Sequence, residues 1–276
     1  MVSLSVIIIT HNEEENLPHC LASVRDIADE IVVVDDFSTD GTMKICREFG
    51  VRVVLHKFEG HIEQKNFALT QASFPYVLSL DADEEVSKTL YQSISAIKEN
   101  WRYDGYCFNR LNIYCGTPIK HGGWYPDKKL RLFDKRKARW GGINPHDMVI
   151  LKPGSKTKKL KGDLLHYSYA STTEHIFKVN RYTDIFSTAY VRQGRKAGFL
   201  HIVFNPTWKF IRNYFLRLGF LDGSKGLSIC VIQAYETFLK YSKINVLLKN
   251  GVDYPPGFRS MKSPELSVSK ESLIAH

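Results

Sequence analysis

Acidic side chains follow a short apolar segment in "VLSLDADEEV", and their spacing suits the binding of a cation. Asp81 and Asp83 alternate along the chain directly after the apolar residues, and Glu84 and Glu85 come next. Alternate carboxylates at a turn present hard oxygen ligands to one point, as Mg²⁺ or Mn²⁺ requires, and such a cation usually shares its coordination with substrate phosphates. An isolated Asp-x-Asp is more often a solvated turn or a helix N-cap. The position after a buried strand favours a divalent cation at Asp83, with Asp81 as its partner.

The segments around this cluster predict a doubly wound α/β sheet. Short apolar, β-branched runs alternate with stretches long enough for crossover helices, which is typical of parallel strands covered on both faces. These runs are "LSVIIIT" (4–10), "EIVVVDD" (30–36), "VRVVLH" (51–56) and "YVLSLD" (76–81). Ligands of such a sheet bind outside the carboxyl ends of its strands. The polar residues at these ends should therefore converge on one edge: Thr10, His11, Asn12, Glu13, Asp35, Asp36, Asp81 and Asp83.

Capping residues indicate where the intervening helices begin. Asn12 is the predicted N-cap after the first strand, and Thr39 or Asp40 is the predicted N-cap after the second. Ser87 is predicted to cap the helix that follows the acidic cluster.

The second half of the chain has a different pattern of apolar and polar residues. Past Arg102, shorter extended runs broken by Gly and Pro predict a mixed or antiparallel portion, and helical periodicity dominates from Ser171 onward. Apolar residues recur at helical spacing in 207–221 and 225–249, with basic residues interleaved. Basic amphipathic helices suit an anionic membrane surface. We do not expect nucleic acid as a partner, because the opposite helix faces are aliphatic and aromatic and no nucleic-acid module is recognised.

Composition sets the class and the expected compartment. The 276 residues carry a formal net charge of +9, with 43% hydrophobic and 24% charged residues, as in ordinary globular proteins. The five cysteines lack C-x-x-C spacing, which argues against a disulfide framework or structural zinc and favours a reducing cytoplasm. The first residues lack the basic region and cleavage site of a signal peptide, and no apolar run approaches the length of a membrane span. We expect a cytoplasmic protein, peripheral on the inner face of the cytoplasmic membrane.

Several motifs carry a resemblance to a known family. "VSLSVIIITHNEEENL", "EIVVVDDFSTDGT", "GHIEQKNFAL" and "YVLSLDADEEV", in this order, resemble the nucleotide-sugar half of family 2 glycosyltransferases, which have the GT-A fold. "GGWYPDKKLRLF" and "INPHDMVI" are similar to bacterial enzymes that add a sugar to the lipopolysaccharide inner core. The resemblance implies a GT-A-like, mixed but mainly parallel sheet flanked by helices, with a C-terminal helical appendage. The implied domains are a glycosyltransferase domain 1–170 (nucleotide-sugar half 1–100, acceptor half 101–170), a basic helical region 171–250 and a flexible tail 251–276.

The resemblance also implies which residues bind the donor. Asp35 would accept a hydrogen bond from the base, although a turn or helix-capping aspartate is the alternative. Lys65 would approach the base or the diphosphate, with a solvated helix lysine as the alternative, and Asp81 would contact the ribose or the metal. The residues that would line the nucleotide pocket are Thr10, His11 and Glu13, with His11 where the family often has an aromatic ring on the base.

The metal and the general base follow from the same resemblance. Asp83 would ligate a Mg²⁺ or Mn²⁺ that bridges the donor diphosphate and neutralises charge on the leaving group. His166 lies where some GT-A enzymes place a further metal ligand, although a lone strand histidine is more often structural. Asp147, in "NPHDMV", matches the downstream acid that deprotonates the acceptor hydroxyl during inversion. The stretch departs from the common Glu-Asp pattern, so the alignment identifies the base only to within about one residue. A surface turn aspartate is the alternative for Asp147.

The acceptor-side motif has two interpretations. Trp124 and Tyr125 in "GGWYPD" offer flat surfaces for stacking a sugar on a mobile loop, or they pack in the core. Asp127 and Arg131 are candidates for binding acceptor hydroxyls or phosphate.

The sequence thus predicts an inverting, metal-dependent glycosyltransferase. It would move a hexose from a nucleoside diphosphate sugar, with UDP-glucose the first choice, to a lipopolysaccharide core or other lipid-linked glycan. A phosphoryl-transfer enzyme would place its aspartates after the first strand, where this chain has "THNEE". A sugar nucleotidyltransferase would open with a Gly-rich phosphate loop. A noncatalytic nucleotide-sugar-binding protein stays open, because binding residues alone do not prove turnover.

Overall fold

The computed structural model describes residues 1–143 and 146–250. Asn144 and Pro145 of the predicted base motif, and the whole of the predicted tail 251–276, lie outside the described residues. The chain forms two compact units. The first comprises Met1–Ile176 and Lys209–Ile232, and the second comprises Phe177–Trp208 with the described residues from Gln233 onward. The proposed division of the chain at residue 170 stays a prediction.

The described chain alternates strands and helices up to Glu99, is mainly strand up to Tyr169 and is helical thereafter. The strands are β1 (Leu4–Thr10), β2 (Glu30–Asp35), β3 (Arg52–Leu55), β4 (Tyr76–Asp81), β5 (Glu84–Val86), β6 (Gly105–Tyr114), β7 (Thr117–Pro118), β8 (Asp127–Asp134), β9 (Ala138–Ile143), β10 (His146–Leu151) and β11 (Thr157–Tyr169). The helices are α1 (Leu17–Val24), α2 (Thr42–Glu48), α3 (His61–Gln71), α4 (Lys88–Glu99), α5 (Thr172–Arg192), α6 (Phe199–Ile211) and α7 (Gly223–Asn250). A π-helical turn (Arg212–Leu216) and a 3₁₀ turn (Gly219–Asp222) lie between α6 and α7.

One mixed sheet organises the first unit. Its strand order is β3-β2-β1-β4-β8-β6-β11-β5, with β7 paired to β6. Strands β1 to β4 are mutually parallel where they pair, whereas β8 runs antiparallel to both of its neighbours, β4 and β6. Strands β9 and β10 form a separate antiparallel pair. The predicted fold class, a mixed and mainly parallel sheet flanked by helices with a C-terminal helical part, is confirmed.

Burial on both faces explains the continuous apolar strands. On one face of β1, Leu4, Val6 and Ile8 pack in a cluster with residues of α1. On the other face, Ile7 packs with residues of β2 and with Ala68 of α3. A fully buried side chain of this kind contributes roughly 1.5 to 3 kcal/mol, so neither face could tolerate a polar alternation.

The register of the parallel strands places the chemistry. Thr10 at the end of β1 is paired with Asp35 at the end of β2, and Ile9 is paired with Asp81 at the end of β4. These three strands therefore end at the same level, and the expected convergence of their polar ends on one edge is confirmed.

Of the predicted N-cap residues, the structure confirms Ser87 but not Asn12. Ser87 caps α4, because its hydroxyl accepts a hydrogen bond from the backbone N–H of Leu90. Asn12 does not cap α1, which begins only after Asn16. Asn12 instead has a positive φ of 54° and accepts a hydrogen bond from the Thr39 N–H, so it joins the loops after β1 and β2. Helix α2 begins after Gly41, and Asp40 accepts from the N–H of Thr42.

The second unit is helical. Lys243 of α7 forms an ion pair of 2.6 Å with Asp184 of α5 and donates to the Thr183 hydroxyl and to Asn180. The Ser187 hydroxyl donates to the backbone oxygen of Lys240. Within the part of the chain that the structure describes, no helix has both the length and the apolar character that crossing a membrane requires.

Candidate active site

Strand β4 delivers the acidic cluster to the sheet edge and turns back there. The Ala82 N–H donates to the Ile9 backbone oxygen, and the Tyr167 N–H donates to the Asp83 backbone oxygen. Glu84 and Glu85 then enter β5, which pairs with β11. Neither glutamate belongs to the following helix, which begins at Lys88. The tight turn leaves Asp81 and Asp83 with different neighbours.

Asp81 is held by two cations. Its Oδ1 lies 2.9 Å from Lys65 Nζ, and its Oδ2 accepts from Arg131 Nη2 at 2.9 Å. Fully buried Glu84 accepts from the same Arg131 Nη2 at 3.0 Å and from the Asp81 N–H at 3.0 Å. Burial acts to raise the pKa of Asp81, but Lys65 and Arg131 outweigh it and hold this pKa well below its usual range. Asp81 is therefore ionised at neutral pH.

Lys65 joins the acidic cluster to the predicted base. Its side chain, on α3, is only 2% exposed, and Nζ donates to Asp147 Oδ2 at 2.8 Å. The ammonium also lies 4.6 Å from the centre of the Trp140 ring. Asp147 belongs to β10, outside the main sheet, so this contact brings the base candidate to the end of β4. Lys65 is thus a buried site residue, contrary to the solvated-lysine alternative.

Asp83 faces His166 instead of these cations. Asp83 Oδ2 lies 3.3 Å from His166 Nε2. His166 Nδ1 lies 2.6 Å from the side-chain oxygen of Asn112, whose amide nitrogen donates to the backbone oxygen of Trp124. Because the Asn112 oxygen can only accept, Nδ1 carries a hydrogen. A neutral His166 therefore presents the lone pair of Nε2 toward the Asp83 carboxylate, a contact that a cation between the two groups would stabilise.

The donor chemistry of Asp83 and His166 suits a divalent cation with few protein ligands. Among the described residues, no group of three His, Cys, Asp or Glu side chains could hold a metal ion by itself. Mg²⁺ at phosphate sites commonly takes only one or two protein ligands and completes its coordination with phosphate oxygens and water. The pair fits that pattern. Asp81, whose oxygens face Lys65 and Arg131, stays only a predicted ligand.

The predicted nucleotide residues lie at the ends of β1 and β2. Asp35 is buried and accepts hydrogen bonds from the Ser38 N–H at 2.8 Å and from the Ser38 hydroxyl at 2.5 Å. It therefore also has the turn role given above as its alternative.

The other three predicted residues lie at or just after the end of β1. His11 is exposed, and its Nδ1 lies 2.7 Å from the Asp36 backbone oxygen. Thr10 is buried, and its hydroxyl has no hydrogen-bond partner. Glu13 accepts from the Asn16 side chain at 2.8 Å. Their contacts with a nucleotide stay predictions.

Some residues and contacts of the site were not predicted from the sequence. Arg131, considered there for the acceptor, is buried behind Asp81, and its Nε and Nη1 lack hydrogen-bond partners. Trp140, whose ring centre lies 5.0 Å from the Arg131 guanidinium, also has an unpartnered buried N–H. Arg110 pairs with Asp127 at 2.9 Å. Buried donors without partners are rare and point to a missing ligand or water. The signal for Arg131 was its place in the apolar run "KKLRLF", where a buried guanidinium demands a carboxylate.

The aromatic residues of "GGWYPD" have structural contacts. Trp124 packs in a cluster with Tyr114, Tyr169 and His175, at centroid distances of 5.8, 6.2 and 6.1 Å. The Tyr125 hydroxyl donates to Asp163 and accepts from Asn109, both at 3.0 Å. The core interpretation of Trp124 therefore accounts for its position. The contacts of Tyr125 hold its ring in place.

Acids, a shared lysine and an arginine thus lie at the carboxyl edge of a mixed α/β sheet, and an antiparallel half follows it, which is the arrangement that the resemblance to the GT-A fold predicted. Residues 5–153 match the model of glycosyl transferase family 2, and the chain belongs to this family. The family predicted from the motifs is confirmed.

Two relatives and one solved structure show the extent of the similarity. An uncharacterised glycosyltransferase of Rickettsia typhi is 32% identical, with 90% of this chain and 88% of that protein covered. The lipopolysaccharide core biosynthesis glycosyltransferase LpsC of Rhizobium meliloti is 29% identical over 87% of this chain and 91% of its own length. Residues 1–349 of S. aureus TarS, solved in complex with UDP, match with a TM-score of 0.43 at 16% identity, covering 90% of this chain and 92% of that one.

Proposed function

We propose that this family 2 glycosyltransferase moves a hexose, with inversion, from a nucleoside diphosphate sugar to a lipopolysaccharide core or other lipid-linked glycan. UDP-glucose is the proposed donor. The observation that carries the proposal is the Lys65 bridge, because it holds the base candidate Asp147 beside Asp81 at the donor edge of the sheet. The name of the Rhizobium relative supports a lipopolysaccharide acceptor.

The donor would lie across the ends of β1, β2 and β4. Thr10, His11 and Glu13 would line the nucleotide, and Asp35 would accept a hydrogen bond from the base with a lone pair that Ser38 leaves available. Asp81 would meet the ribose, with its charge fixed by Lys65 and Arg131. The unpartnered N–H groups of Arg131 and Trp140 add positive potential to the same region.

Asp83 and His166 would hold a divalent cation. When bound, such a cation neutralises negative charge on the leaving nucleoside diphosphate. Asn112 keeps the His166 ring in one orientation, since it binds Nδ1 and leaves Nε2 directed at Asp83.

Asp147 would act as the general base. Its carboxylate would take the proton of the acceptor hydroxyl while the hydroxyl oxygen bonds to the anomeric carbon. The bond from that carbon to the diphosphate oxygen breaks on the opposite face, and the nucleoside diphosphate leaves with the electron pair. Lys65 holds the Asp147 carboxylate in place before the reaction through the 2.8 Å contact between Lys65 Nζ and Asp147 Oδ2.

We further propose that the second unit contacts an anionic membrane surface on the cytoplasmic side. Helix α6 has no buried residue, and its apolar side chains are unusually exposed. Phe199 is 71% and Phe204 is 65% exposed. Large exposed apolar patches usually mark an interaction surface, and basic residues lie close in sequence at Arg195 and Lys196. Both features suit a helix that lies in the lipid headgroup region.

Flotation with vesicles tests the membrane proposal. The wild-type protein should float with vesicles that contain anionic phosphatidylglycerol and should bind less as salt screens the charge. Phe204→Glu should weaken binding about tenfold, whereas the control Leu55→Glu, at an exposed apolar position on β3, should not. Equal flotation of both variants, or no binding of the wild type, would reject this surface.

A donor screen tests the transfer activity. The purified protein is incubated with a panel of nucleotide sugars and a divalent cation, and release of nucleoside diphosphate is measured with and without deacylated lipopolysaccharide core oligosaccharide. UDP-glucose should give acceptor-stimulated release. Asp83→Ala should abolish metal-dependent UDP binding in calorimetry, and metal-independent binding would remove the role of Asp83.

The same assays distinguish the alternatives. A noncatalytic protein would bind the UDP-sugar but would release no UDP, with or without an acceptor. A phosphoryl-transfer enzyme would release inorganic phosphate from a phosphate ester and show no preference for a sugar donor.

A further inference from the structure

A second polar cleft lies in the first unit, formed by the "HGGWYPD" loop and the segment before α7. Its volume is about 460 Å³. Lys120, His121, Gly123 and Tyr125 of the loop line the cleft together with Arg217. None of these side chains was assigned a role in donor binding.

Asp222 fixes the loop that forms this cleft. Its carboxylate accepts from the His121 N–H at 2.8 Å, from His121 Nδ1 at 2.8 Å and from the Lys120 N–H at 3.3 Å. The Gly122 N–H donates to the Arg217 backbone oxygen at 2.9 Å. The loop sequence suggested a mobile segment, but these bonds hold its backbone against the 217–222 segment. The negative charge of Asp222, only 6% exposed, is directed at these N–H groups.

The two cations of the cleft are available for an external anion. Among the described residues, neither the Lys120 ammonium nor the Arg217 guanidinium forms an ion pair or a side-chain hydrogen bond. The Arg217 guanidinium lies against Gly123, where any Cβ would collide with it, and the φ of 82° at Gly123 is one that favours glycine. The absence of a side chain at residue 123 therefore allows the guanidinium to sit in the wall of the cleft.

A short chain of hydrogen bonds connects this cleft to the candidate catalytic centre. Trp124, the residue after Gly123, accepts from the Asn112 side chain at 3.4 Å through its backbone oxygen. Asn112 holds His166 at 2.6 Å, and His166 faces Asp83 at 3.3 Å. The loop that lines the cleft is thus connected, through Asn112, to the Asp83 and His166 pair that we assign to the cation.

We propose that this cleft binds a phosphate group carried by the glycan acceptor. A guanidinium and an ammonium that line the same open cleft match the chemistry of a phosphate monoester, to which both can give charge-assisted hydrogen bonds. Lys120 and Arg217 are then specificity residues that select a phosphorylated acceptor and position it beside the sugar. The inference rests on the proposed function and names a feature of its acceptor.

Phosphate binding is measured first on the full chain, by ³¹P NMR titration of inorganic phosphate with the donor site saturated by UDP and Mg²⁺. Arg217→Gln and Lys120→Gln should each weaken phosphate binding about tenfold, since each removes one charge-assisted contact. Lys44→Gln, at an exposed lysine on α2, should bind phosphate as the wild type does. Wild-type binding no tighter than that of the Arg217→Gln Lys120→Gln double variant would overturn the inference. UDP affinity, measured in parallel, should be equal in all variants, so a defect of the donor site is seen separately.

Transfer to deacylated core oligosaccharide, before and after removal of its phosphates, then identifies the source of the phosphate. Deacylation excludes lipid headgroups. Dephosphorylation should raise the acceptor KM of the wild type about tenfold and leave the double variant unchanged, with kcat preserved in both. An equal KM for both oligosaccharides, with inorganic phosphate still bound, would assign the cleft to free phosphate and reject the acceptor role. Absence of transfer to either oligosaccharide would count against the proposed function, while the NMR titration still decides whether the cleft binds phosphate.

Discussion

Lys65 Nζ lies 2.8 Å from Asp147 Oδ2, and the same ammonium lies 2.9 Å from Asp81 Oδ1. One buried cation thus holds an acid from the end of β4 and an acid from β10. Arg131 supplies a second buried cation, which Asp81 shares with Glu84, and Arg110 lies 3.6 Å from the same glutamate. A buried carboxylate that loses its share of a cation in such a cluster becomes costly. Lys65 therefore couples the stability of the site to the position of the proposed base.

Lys65→Met tests this coupling. Methionine keeps the length and apolar stem but removes the charge, which leaves Asp147 without its ammonium partner. Breaking a buried ion pair typically costs about 3 kcal/mol or more, so the free energy of unfolding in urea should fall by about that amount. Donor turnover at saturating UDP-glucose should fall about a hundredfold, because Asp81 and Asp147 repel each other.

Lys44→Met is the matched control for Lys65→Met. Lys44 is 75% exposed on α2, and among the residues that the structure describes it pairs only with Glu48, at 3.8 Å. Its substitution should change stability by no more than about 0.5 kcal/mol. If Lys65→Met is as stable as this control, Lys65 does not bridge the two acids in solution.

Asp147→Asn separates binding from proton transfer. The asparagine oxygen can still accept from Lys65, so UDP affinity should stay within about twofold of wild type. Transfer to the acceptor should fall at least about a hundredfold, because the amide cannot take the hydroxyl proton. Product formation is followed with radiolabelled donor, and Asp104→Asn, at an ion pair with Lys137 on the other part of the sheet, is the control. A fully active Asp147→Asn would place the base elsewhere.

The parallel half of the fold was predictable because its signal is local. Strands β1 and β4 consist mainly of apolar residues, and the predicted bounds 4–10 and 76–81 are those of the structure. Burial on both faces leaves no other structure for such short segments. The placement of Asp35 and Asp81 at the same edge of the sheet then follows from the parallel register of β2 and β4 with β1.

An antiparallel portion past Arg102 was predicted, but the order of its strands and the partners of Asp81 were not predictable, because they depend on long-range pairing. Strand β8 inserts between β4 and β6, and this places Arg131 behind Asp81. Asn12 shows the limit at shorter range. Its type suits an N-cap, but contact with the Thr39 N–H in the neighbouring loop favours a left-handed conformation instead. Tertiary hydrogen bonds decided both cases.

Asp29 should make the free energy of unfolding depend on pH in the acid range. Its Oδ2 accepts from Lys98 Nζ and from the Leu4 N–H, both at 2.7 Å. Burial acts to raise the pKa of Asp29, but these donors lower it below the ordinary value of 3.8. A depressed pKa contributes stability above about pH 4 that is lost as the pH falls through the folded-state value. The Asp29 side chain is 38% exposed, so the contribution is limited to about 1 kcal/mol.

Asp29→Asn should accordingly lower the free energy of unfolding by about 1 kcal/mol at pH 7. The difference from wild type should shrink as the pH falls below about 4 and the wild-type carboxyl becomes protonated in its turn. Urea unfolding at a series of pH values measures both curves, and Asp26→Asn, at an exposed neighbouring aspartate, should show no such dependence. A wild-type advantage that stays constant down to pH 3 would exclude the ionic contribution.

Gly162 allows β11 to pass close to the start of α4. Its φ is 93°, and an added Cβ would overlap the backbone of Thr89 and Leu90. The helix cannot easily retreat, because Ser87 both caps α4 and accepts from the Asp163 N–H. Gly162→Ala should therefore destabilise the protein by at least about 2 kcal/mol, from positive-φ strain and overlap together. Gly154→Ala is the control, since Gly154 has a φ of 80° with nothing within 4 Å of its added Cβ, and its loss reports the strain alone. Equal losses in urea unfolding for the two variants would show that β11 and α4 are not tightly packed at Gly162.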